Sequence, residues 1–352
     1  MQHATRHASS PSGISGNRNR ARRHRLLALS IGLTAIMPLA IVSLLAGARE
    51  LELSTAWRAI TAFDPSNNDH LLLWHLRMPR TLLAIVAGAA LGAAGILMQA
   101  LTRNVLADPG LLGVNAGAAL AIAGAIAAFG VTHPAGQLGF GLAGAALAAT
   151  MVYLLGGIRQ AAEPLRMVLA GAALSAVLLA ATQIITVNSD NAVFDQFRHW
   201  AVGSLQGRGH AVLWPAAAAT ALGLLIAFAM ARRLDAVALG TELGTALGAR
   251  PALVWQGCAT AIVLLAGAAT AAAGPIAFIG LAAPHLARHA GGADHRWTLP
   301  FAMLAAALLV LAADILGRVI ARPGEIPVGI LSALIGGPVF VALARRQRLG
   351  PR

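Results

Sequence analysis

The stretch Leu76–Asn115, LRMPRTLLAIVAGAALGAAGILMQALTRNVLADPGLLGVN, decides the fold of this chain. Its apolar part, Thr81 to Leu101, is long enough to cross a lipid bilayer as a helix. Arg77 and Arg80 stand at the start of this helix, where the positive end of the helix dipole disfavours cations. We therefore expect the two arginines to meet an acidic partner outside the membrane.

The composition is that of a polytopic membrane protein. Hydrophobic residues make up 58% of the 352 residues and charged residues only 11%, a balance that disfavours a soluble protein of this size. The net charge of +13 does not indicate a nucleic-acid-binding protein, because aromatic residues are only 5% and the basic residues stand in short groups between apolar runs. We expect membrane lipid, and no nucleic acid, as a partner.

Ten apolar segments are candidates for membrane-spanning helices. Ten is even, so both termini lie on one side, and the segments on that side carry most of the arginines, which makes it the cytoplasmic side. A cleavable signal peptide is the alternative to the first span, but its charged and apolar parts are both longer than such a peptide has. The ten segments are Leu26 to Ala48, Thr81 to Leu101, Leu111 to Gly130, Gln137 to Gly157, Leu165 to Val187, Ala211 to Ala231, Ala252 to Ala272, Ile276 to His289, Thr298 to Ile320 and Pro327 to Ala344.

The predicted fold is therefore all-α, with about ten transmembrane helices; the family resemblance given below implies the inner (cytoplasmic) membrane. Residues 1–25 are polar and rich in arginine, which predicts a disordered basic cytoplasmic tail. The transmembrane domain is predicted at 26–346, and a short cytoplasmic tail at 347–352.

Several functional classes are disfavoured by what the sequence lacks. Every basic residue is arginine, so the P-loop lysine is absent and any ATP must be hydrolysed by another chain. No convergent nucleophile, base and metal-ligand set indicates a membrane enzyme, and we expect no cofactor. His285 and His289 stand four residues apart, but apart from Asp294 nothing near them completes a metal site. An ion-coupled secondary transporter needs acidic or histidine residues in mid-membrane, and Asp314 is almost alone there.

Five motifs, in this order, resemble the FecCD family of permease subunits in ABC importers for iron-siderophores, haem and cobalamin. The resemblance covers Leu26 to Arg346 and implies a type II ABC importer permease fold. It implies that the chain is not an enzyme and that it pairs with a second copy, as a homodimer, or with a paralogue. Two ATPase subunits would bind inside and a periplasmic or lipid-anchored substrate-binding protein outside. The motifs are LRMPRTL, NVLADPGLLGVNAG, ALGTELGTALG, AFIGLAAPH, and the end from LAADILGR to EIPVGILSALIGGPVF.

Three arginines are candidates for docking the binding protein. The resemblance implies that Arg77, Arg80 and Arg318 receive its glutamates. For Arg77 and Arg80 the alternative is contact with lipid phosphates. For Arg318 the alternative is a neutralised pair with Asp314, which stands four residues earlier on the same helix.

The inner segment ALGTELGTALG is implied by the resemblance to couple the permease to its ATPase. Gly240, Gly244 and Gly248 fall four apart, so a short helix would present a bare backbone stripe that another protein could approach. An ordinary glycine packing face or a loop is the alternative. The candidate coupling residues are Leu239, Gly240, Glu242, Leu243, Gly244, Leu247 and Gly248.

The fifth and tenth helices are implied by the resemblance to line the translocation path. Small and hydroxyl residues recur there on one face of each helix, although such residues also serve helix packing. A mildly polar wall without fixed charges would suit a bulky ligand. FRHWAVGSLQGR resembles the siderophore branch, so ferric siderophore is the first candidate substrate and haem or cobalamin the second. The candidate path residues are Ser175, Thr182, Thr186, Gly329, Ser332 and Gly336.

Overall fold

A computed structural model describes residues 12–47, 49–156, 164–238, 240–246 and 248–348 of the chain. Within these ranges, the side chains of 12–21, 164–165, 241–242, 343–344 and 346–348 are not described. The described residues form helices and no strands, which confirms the all-α prediction. Two candidate coupling residues, Leu239 and Leu247, lie outside the described residues, as do residues 1–11 and 349–352 of the predicted tails.

The described residues form fourteen α-helices. A π-helical turn, Leu73–Arg77, joins the third helix to the fourth, and a 3-10 turn, Pro109–Leu112, precedes the fifth. The α-helices are α1 Ser12–Leu45, α2 Leu53–Thr61, α3 Asn68–Leu72, α4 Met78–Thr102, α5 Val114–Phe129, α6 Pro134–Gly156, α7 Pro164–Val187, α8 Asn191–Ala201, α9 His210–Ala238, α10 Thr241–Ala246, α11 Pro251–Ala273, α12 Ile279–Gly291, α13 His295–Ile320 and α14 Val328–Arg348.

Ten of these helices correspond to the ten predicted spans. Seven helical runs in the described chain are long and apolar enough to cross a membrane: those containing α1, α4, α6, α7, α9, α11 and α13. The other three, α5, α12 and α14, are shorter. Two of them start late because the backbone turns first: Gly113 before α5 and Phe278 before α12 are both left-handed, with φ of 73° and 66°.

The first helix is longer than the sequence indicated. It begins at Ser12, so residues 12–25 continue the first span as a helix, where a disordered tail was predicted. The Arg25 guanidinium lies 5.8 Å from the centre of the Trp297 ring, near the start of α13, a distance at which a cation is attracted to an aromatic face.

Helix α4 lies at the centre of the bundle and packs against α9, α11, α12 and α13. Its glycines permit the closest of these approaches. A methyl group at Gly88 would collide with the backbone of Ala306 and Ala307 on α13, and one at Gly95 would collide with the carbonyl of Gly280 on α12. This confirms the close helix packing expected from small residues four apart.

The loop 202–209, between α8 and α9, joins two elements on the outer side of the bundle. Its Gly203 carbonyl accepts a hydrogen bond of 2.9 Å from the Gly329 N–H at the start of α14, and its Ser204 N–H donates one of 2.7 Å to the Ala273 carbonyl at the end of α11. In helix α8 before the loop, Trp200 is buried and its indole N–H donates to the Ala271 carbonyl.

Candidate functional site

The three candidate docking arginines converge in one buried cluster where α1 ends and α4 begins, at the end of the bundle that was predicted to face outward. Arg80 on α4 donates to one oxygen of Asp314 on α13 through Nε at 3.0 Å and through a terminal nitrogen at 2.9 Å. Its other terminal nitrogen donates to Glu325, before α14, at 2.7 Å. One guanidinium thus joins two carboxylates from two parts of the chain, as the planar fork of arginine allows.

Arg318 completes this cluster from the same helix as Asp314. The two side chains pair at 2.9 Å, so the neutralised i, i+4 pair is confirmed. Arg318 also donates to the Ser43 and Ala46 carbonyls at 2.8 Å each and to the Ser43 hydroxyl at 2.7 Å. Arg318 therefore fastens α13 to the end of α1.

Arg77 caps the end of α1 from the π-helical turn. Its guanidinium donates to the Leu44 and Leu45 carbonyls at 2.7 Å each and also to the Arg49 carbonyl. The last carbonyls of a helix lack partners within the helix and form its negative end, so a cation is favourable there.

These contacts correct the expected environment of the arginines. From the helix dipole we expected Arg77 and Arg80 to meet an acidic partner outside the membrane. For Arg80, the acidic partners are instead Asp314 and Glu325 of the same chain. Arg77 and Arg318 are buried, and the Arg80 side chain is 12% exposed. Docking by these arginines stays a prediction; in this structure their hydrogen-bonding groups are engaged within the chain.

The glycine stripe of the inner segment does not form. Only Gly244 lies within α10, while Gly240 and Gly248 flank the helix with φ of 109° and 82°. Gly244 is buried against the Ala236 carbonyl of α9, so its bare backbone serves packing within the chain. Leu243 is the large apolar residue among the described exposed side chains of α10, at 61% exposure. The Glu242 side chain lies outside the described residues.

Two contacts that the sequence did not indicate connect the end of α9, just before α10, to the rest of the bundle. Asp235 accepts hydrogen bonds from the His295 ring at 2.5 Å and from the His295 backbone at 3.2 Å, at the start of α13. Arg103, after α4, donates to the Val237 carbonyl at 3.2 Å. A displacement of α10 that moves the end of α9 would therefore reach α13 and α4.

Five of the six candidate path residues are buried within this chain, and their place in the translocation path stays a prediction. Thr182 and Thr186 are buried, and their hydroxyls donate to carbonyls of their own helix, Leu178 and Thr182, at 2.8 and 3.0 Å. Ser332 is buried and donates to the Gly329 carbonyl at 2.9 Å, while Gly336 packs against Phe278. Only Ser175 is partly exposed. The exposed faces of these helices carry large apolar side chains, among them Leu179, Ile184, Leu334, Ile335 and Val339.

The chain is similar to proteins of known type over nearly its full length. It is 46% identical over 315 residues to the ferric enterobactin transport system permease protein FepD of Escherichia coli, covering 88% of this chain and 92% of FepD. It is 38% identical over 336 residues to the hemin transport system permease protein HmuU of Yersinia pestis, covering 92% and 96%.

A solved structure agrees with these likenesses. An inward-facing conformation of a metal-chelate type ABC transporter matches 91% of this chain and 98% of its own, with a TM-score of 0.77 and 28% sequence identity. The FecCD transport family matches residues 33–346. The match includes all or part of each of the ten candidate helices and the whole buried arginine cluster, and the chain therefore belongs to the FecCD transport family.

Proposed function

We propose that this chain is the permease subunit of an ABC importer and translocates a ferric siderophore across the inner membrane. The observation that carries the proposal is the 46% identity to the ferric enterobactin permease over 92% of that protein's length. A siderophore permease of Bacillus subtilis, YfiZ, is 40% identical over 296 residues. Haem is the second candidate substrate, because the hemin permease is 38% identical over 336 residues.

The proposed assembly contains two copies of this chain, or one copy and a paralogue, with two ATPase subunits inside and a substrate-binding protein outside. The absence of lysine supports a separate ATPase, since no P-loop can form. The arginine distribution supports cytoplasmic termini. The exposed apolar faces of α7 and α14 suit contact with a second permease copy or with lipid.

In the proposed mechanism, ATP binding closes the ATPases and moves α10, and the chain itself makes and breaks no covalent bond. Leu243 supports α10 as the contact, because it is a large apolar side chain exposed on a short helix. The movement would pass through α9 to α13 by the Asp235–His295 contact and to α4 by the Arg103–Val237 contact. Helices α7 and α14 then change their separation and open the path.

Among the docking candidates, Arg80 is the one we retain for direct contact with the binding protein. Its partner Glu325 is 19% exposed, so a carboxylate approaching from outside could replace Glu325 on the same guanidinium nitrogen. Arg77 and Arg318 would then support this surface by holding the end of α1.

The decisive experiment reconstitutes the chain with its ATPase and binding protein in proteoliposomes and measures uptake of radiolabelled iron. The expected result is uptake of a ferric siderophore that needs internal ATP. Uptake of haem but not of siderophore iron would replace the substrate and keep the importer. Failure of any ATPase to associate with the chain would overturn the importer itself.

A further inference from the structure

A groove opens on the side of the bundle between α6 and α11. Its volume is about 320 Å³, within the range of small-ligand sites. Leu112 and Met167 are buried and close its floor. Thr150 and Thr260 on its walls are exposed, so the groove is open to the surroundings of the bundle. The wall residues include Ala146, Ala149 and Thr150 on α6 and Ala259, Thr260 and Val263 on α11.

The groove is largely apolar and about as long as one leaflet of a membrane is thick. The Thr150 hydroxyl donates to the Ala146 carbonyl at 2.7 Å, so it is already engaged within α6. The lining of α11 runs from Trp255 to Leu264, which is about 14 Å at the rise of an α-helix. Half of the hydrocarbon core of a bilayer is about 15 Å. Water does not fill an apolar groove at this depth, so a hydrocarbon chain is the natural occupant.

One end of the groove carries its larger polar and aromatic side chains. Tyr153 and Trp255 stack with their ring centres 5.7 Å apart, and Gln256 donates to the Tyr153 hydroxyl oxygen at 3.0 Å. This mouth lies at the ends of both helices, because α6 ends at Gly156 and α11 begins at Pro251. Tyrosine and tryptophan are typical of the boundary between membrane and water, where one part of the ring system is in lipid and the polar part is hydrated.

The groove is continuous with an apolar surface of the bundle. Helices α6 and α9 both pack on α11, and their exposed side chains include Leu147 and Met151 on α6 and Leu225 and Phe228 on α9. In a chain that spans a membrane, such a surface is covered by lipid. A lipid chain on this surface therefore has direct access to the groove.

Basic residues lie at the polar end of the groove. Arg250 immediately precedes α11 and is exposed. Arg166 is also exposed, and it stands next to Met167 of the groove floor. Two positive charges beyond the aromatic mouth complement the phosphate of a phospholipid, which lies at the same depth as the ends of the helices.

We propose that this groove binds one acyl chain of a phospholipid. The chain lies between α6 and α11, the glycerol esters lie at the mouth, and the phosphate lies toward Arg166 and Arg250. The Tyr153 hydroxyl accepts from Gln256 and can donate its own hydrogen to an ester oxygen. The close-fitting walls and this polar mouth hold the lipid longer than lipid elsewhere on the bundle. The inference requires only that the chain spans a membrane, and it does not depend on the proposed cargo.

The test reconstitutes the full chain in vesicles of phosphatidylethanolamine and phosphatidylglycerol that contain a small fraction of a photoreactive phospholipid. This probe carries a diazirine halfway along one acyl chain, and peptide mass spectrometry locates the residues that it labels after illumination. Ala259→Phe fills the groove, and Tyr153→Phe removes the hydroxyl but keeps the ring. Ala229→Phe is the matched control: Ala229 is exposed on α9, outside the groove, and its neighbour Met230 contacts Gly257 of α11 at a similar depth.

In the wild type, the label should concentrate on the groove residues of α6 and α11, and excess unlabelled phospholipid should compete with it. In Ala259→Phe, this label should fall roughly ten-fold, because the phenyl ring occupies the space of the acyl chain. In Tyr153→Phe, it should fall roughly three-fold, the value of one hydrogen bond. Ala229→Phe should keep the wild-type labelling. Melting temperatures show whether each variant folds, and Tyr153→Phe carries the test if Ala259→Phe does not.

Four results would overturn the inference. Label spread evenly over all exposed apolar faces would mean that only exchanging bulk lipid covers the groove. Unchanged groove labelling in a folded Ala259→Phe, or in Tyr153→Phe if Ala259→Phe does not fold, would separate the label from the groove. Protein cross-links through the groove would assign it to a second copy of the chain. Loss of iron uptake in Ala259→Phe with unchanged labelling would assign it to the cargo. Absence of uptake by the wild type would overturn the proposed function and leave this inference intact.

Discussion

Arg80 and Asp314 are 234 positions apart in the sequence, yet two guanidinium nitrogens of Arg80 donate to a single oxygen of Asp314. Asp314 also pairs with Arg318, and its side chain is 1% exposed. This carboxylate is therefore the anionic centre that joins α4 to α13 and, through Arg318, to the end of α1.

Asp314→Asn should destabilise the protein strongly. It leaves Arg80 and Arg318 buried without this compensating charge, and breaking a buried pair from one side costs about 3–5 kcal/mol. Thermal unfolding in nanodiscs measures the loss. Glu50→Gln is the control, because it breaks an exposed pair with Arg322 and should cost at most about 1 kcal/mol. Equal melting temperatures for the two variants would contradict the structural role of Asp314.

Gly95→Leu should disrupt the packing of α4 on α12. A side chain at Gly95 would meet the Gly280 carbonyl, and overpacking of this kind costs about 1–3 kcal/mol or more. Gly124→Leu on α5 is the matched control, since nothing lies within 4 Å of a methyl group placed there. The yield of folded protein and its melting temperature separate the two variants. A stable Gly95→Leu protein would show that these helices are not in close contact.

Gly244→Leu should uncouple ATP hydrolysis from transport. The new side chain would push α10 away from the Ala236 carbonyl of α9, while the membrane-spanning helices stay in place. Leu243→Ser tests the outer face of the same helix and should weaken ATPase binding by removing an exposed apolar contact. The ratio of iron imported to ATP hydrolysed is the measurement. Normal ratios in both variants would remove α10 from the coupling path.

Asp235→Asn should also lower the transport ratio, although it lies outside α10. It weakens the contact with His295 that links the end of α9 to α13. Asp294→Asn is the control on the neighbouring turn, because asparagine is also a good N-cap and leaves Asp235 untouched. A transport ratio in Asp235→Asn equal to that of the control would show that movement of α9 does not reach α13 by this route.

Asp294 should contribute stability that is lost in acid. It caps α13 by accepting from the Arg296 N–H at 3.0 Å, and its hydrogen bonds with the Arg296 side chain hold its pKa below the ordinary value of 3.8. Because the pKa is lowered on folding, the contribution is full above 3.8 and disappears as the pH falls through the lower folded value. Asp294→Ala should cost about 1 kcal/mol at neutral pH and almost nothing in strong acid. A pH-independent cost would contradict the assignment.

The helices of this chain could be predicted from its sequence because each apolar run must be long enough to cross a bilayer. Their ends could not, because turns such as Gly113 and Phe278 depend on backbone conformation. Arg77 and Arg80 lie at the start of α4, as the sequence indicated, but the sequence around Arg80 does not show that Asp314 and Glu325 will fold against it. The partner was therefore expected in another protein.

The sequence also did not show which way the faces of small residues point in the folded chain. A spacing of four shows that Gly240, Gly244 and Gly248 would share a face of a continuous helix, but not that the helix stops between them. Thr182 and Thr186 share a face as predicted, yet that face turns inward.

The first helix has a consequence for how the protein is made. Its end is held by Arg77, which donates hydrogen bonds to the Leu44 and Leu45 carbonyls, and by Arg318, which donates to the Ser43 and Ala46 carbonyls. Arg318 leaves the ribosome more than 270 residues after Ser43. The first helix to enter the membrane, α1, is therefore held in part by α13, one of the last helices to be synthesised. A nascent chain that ends before α13 would lack this contact, and its loosely held amino-terminal helix would be accessible to quality-control proteases.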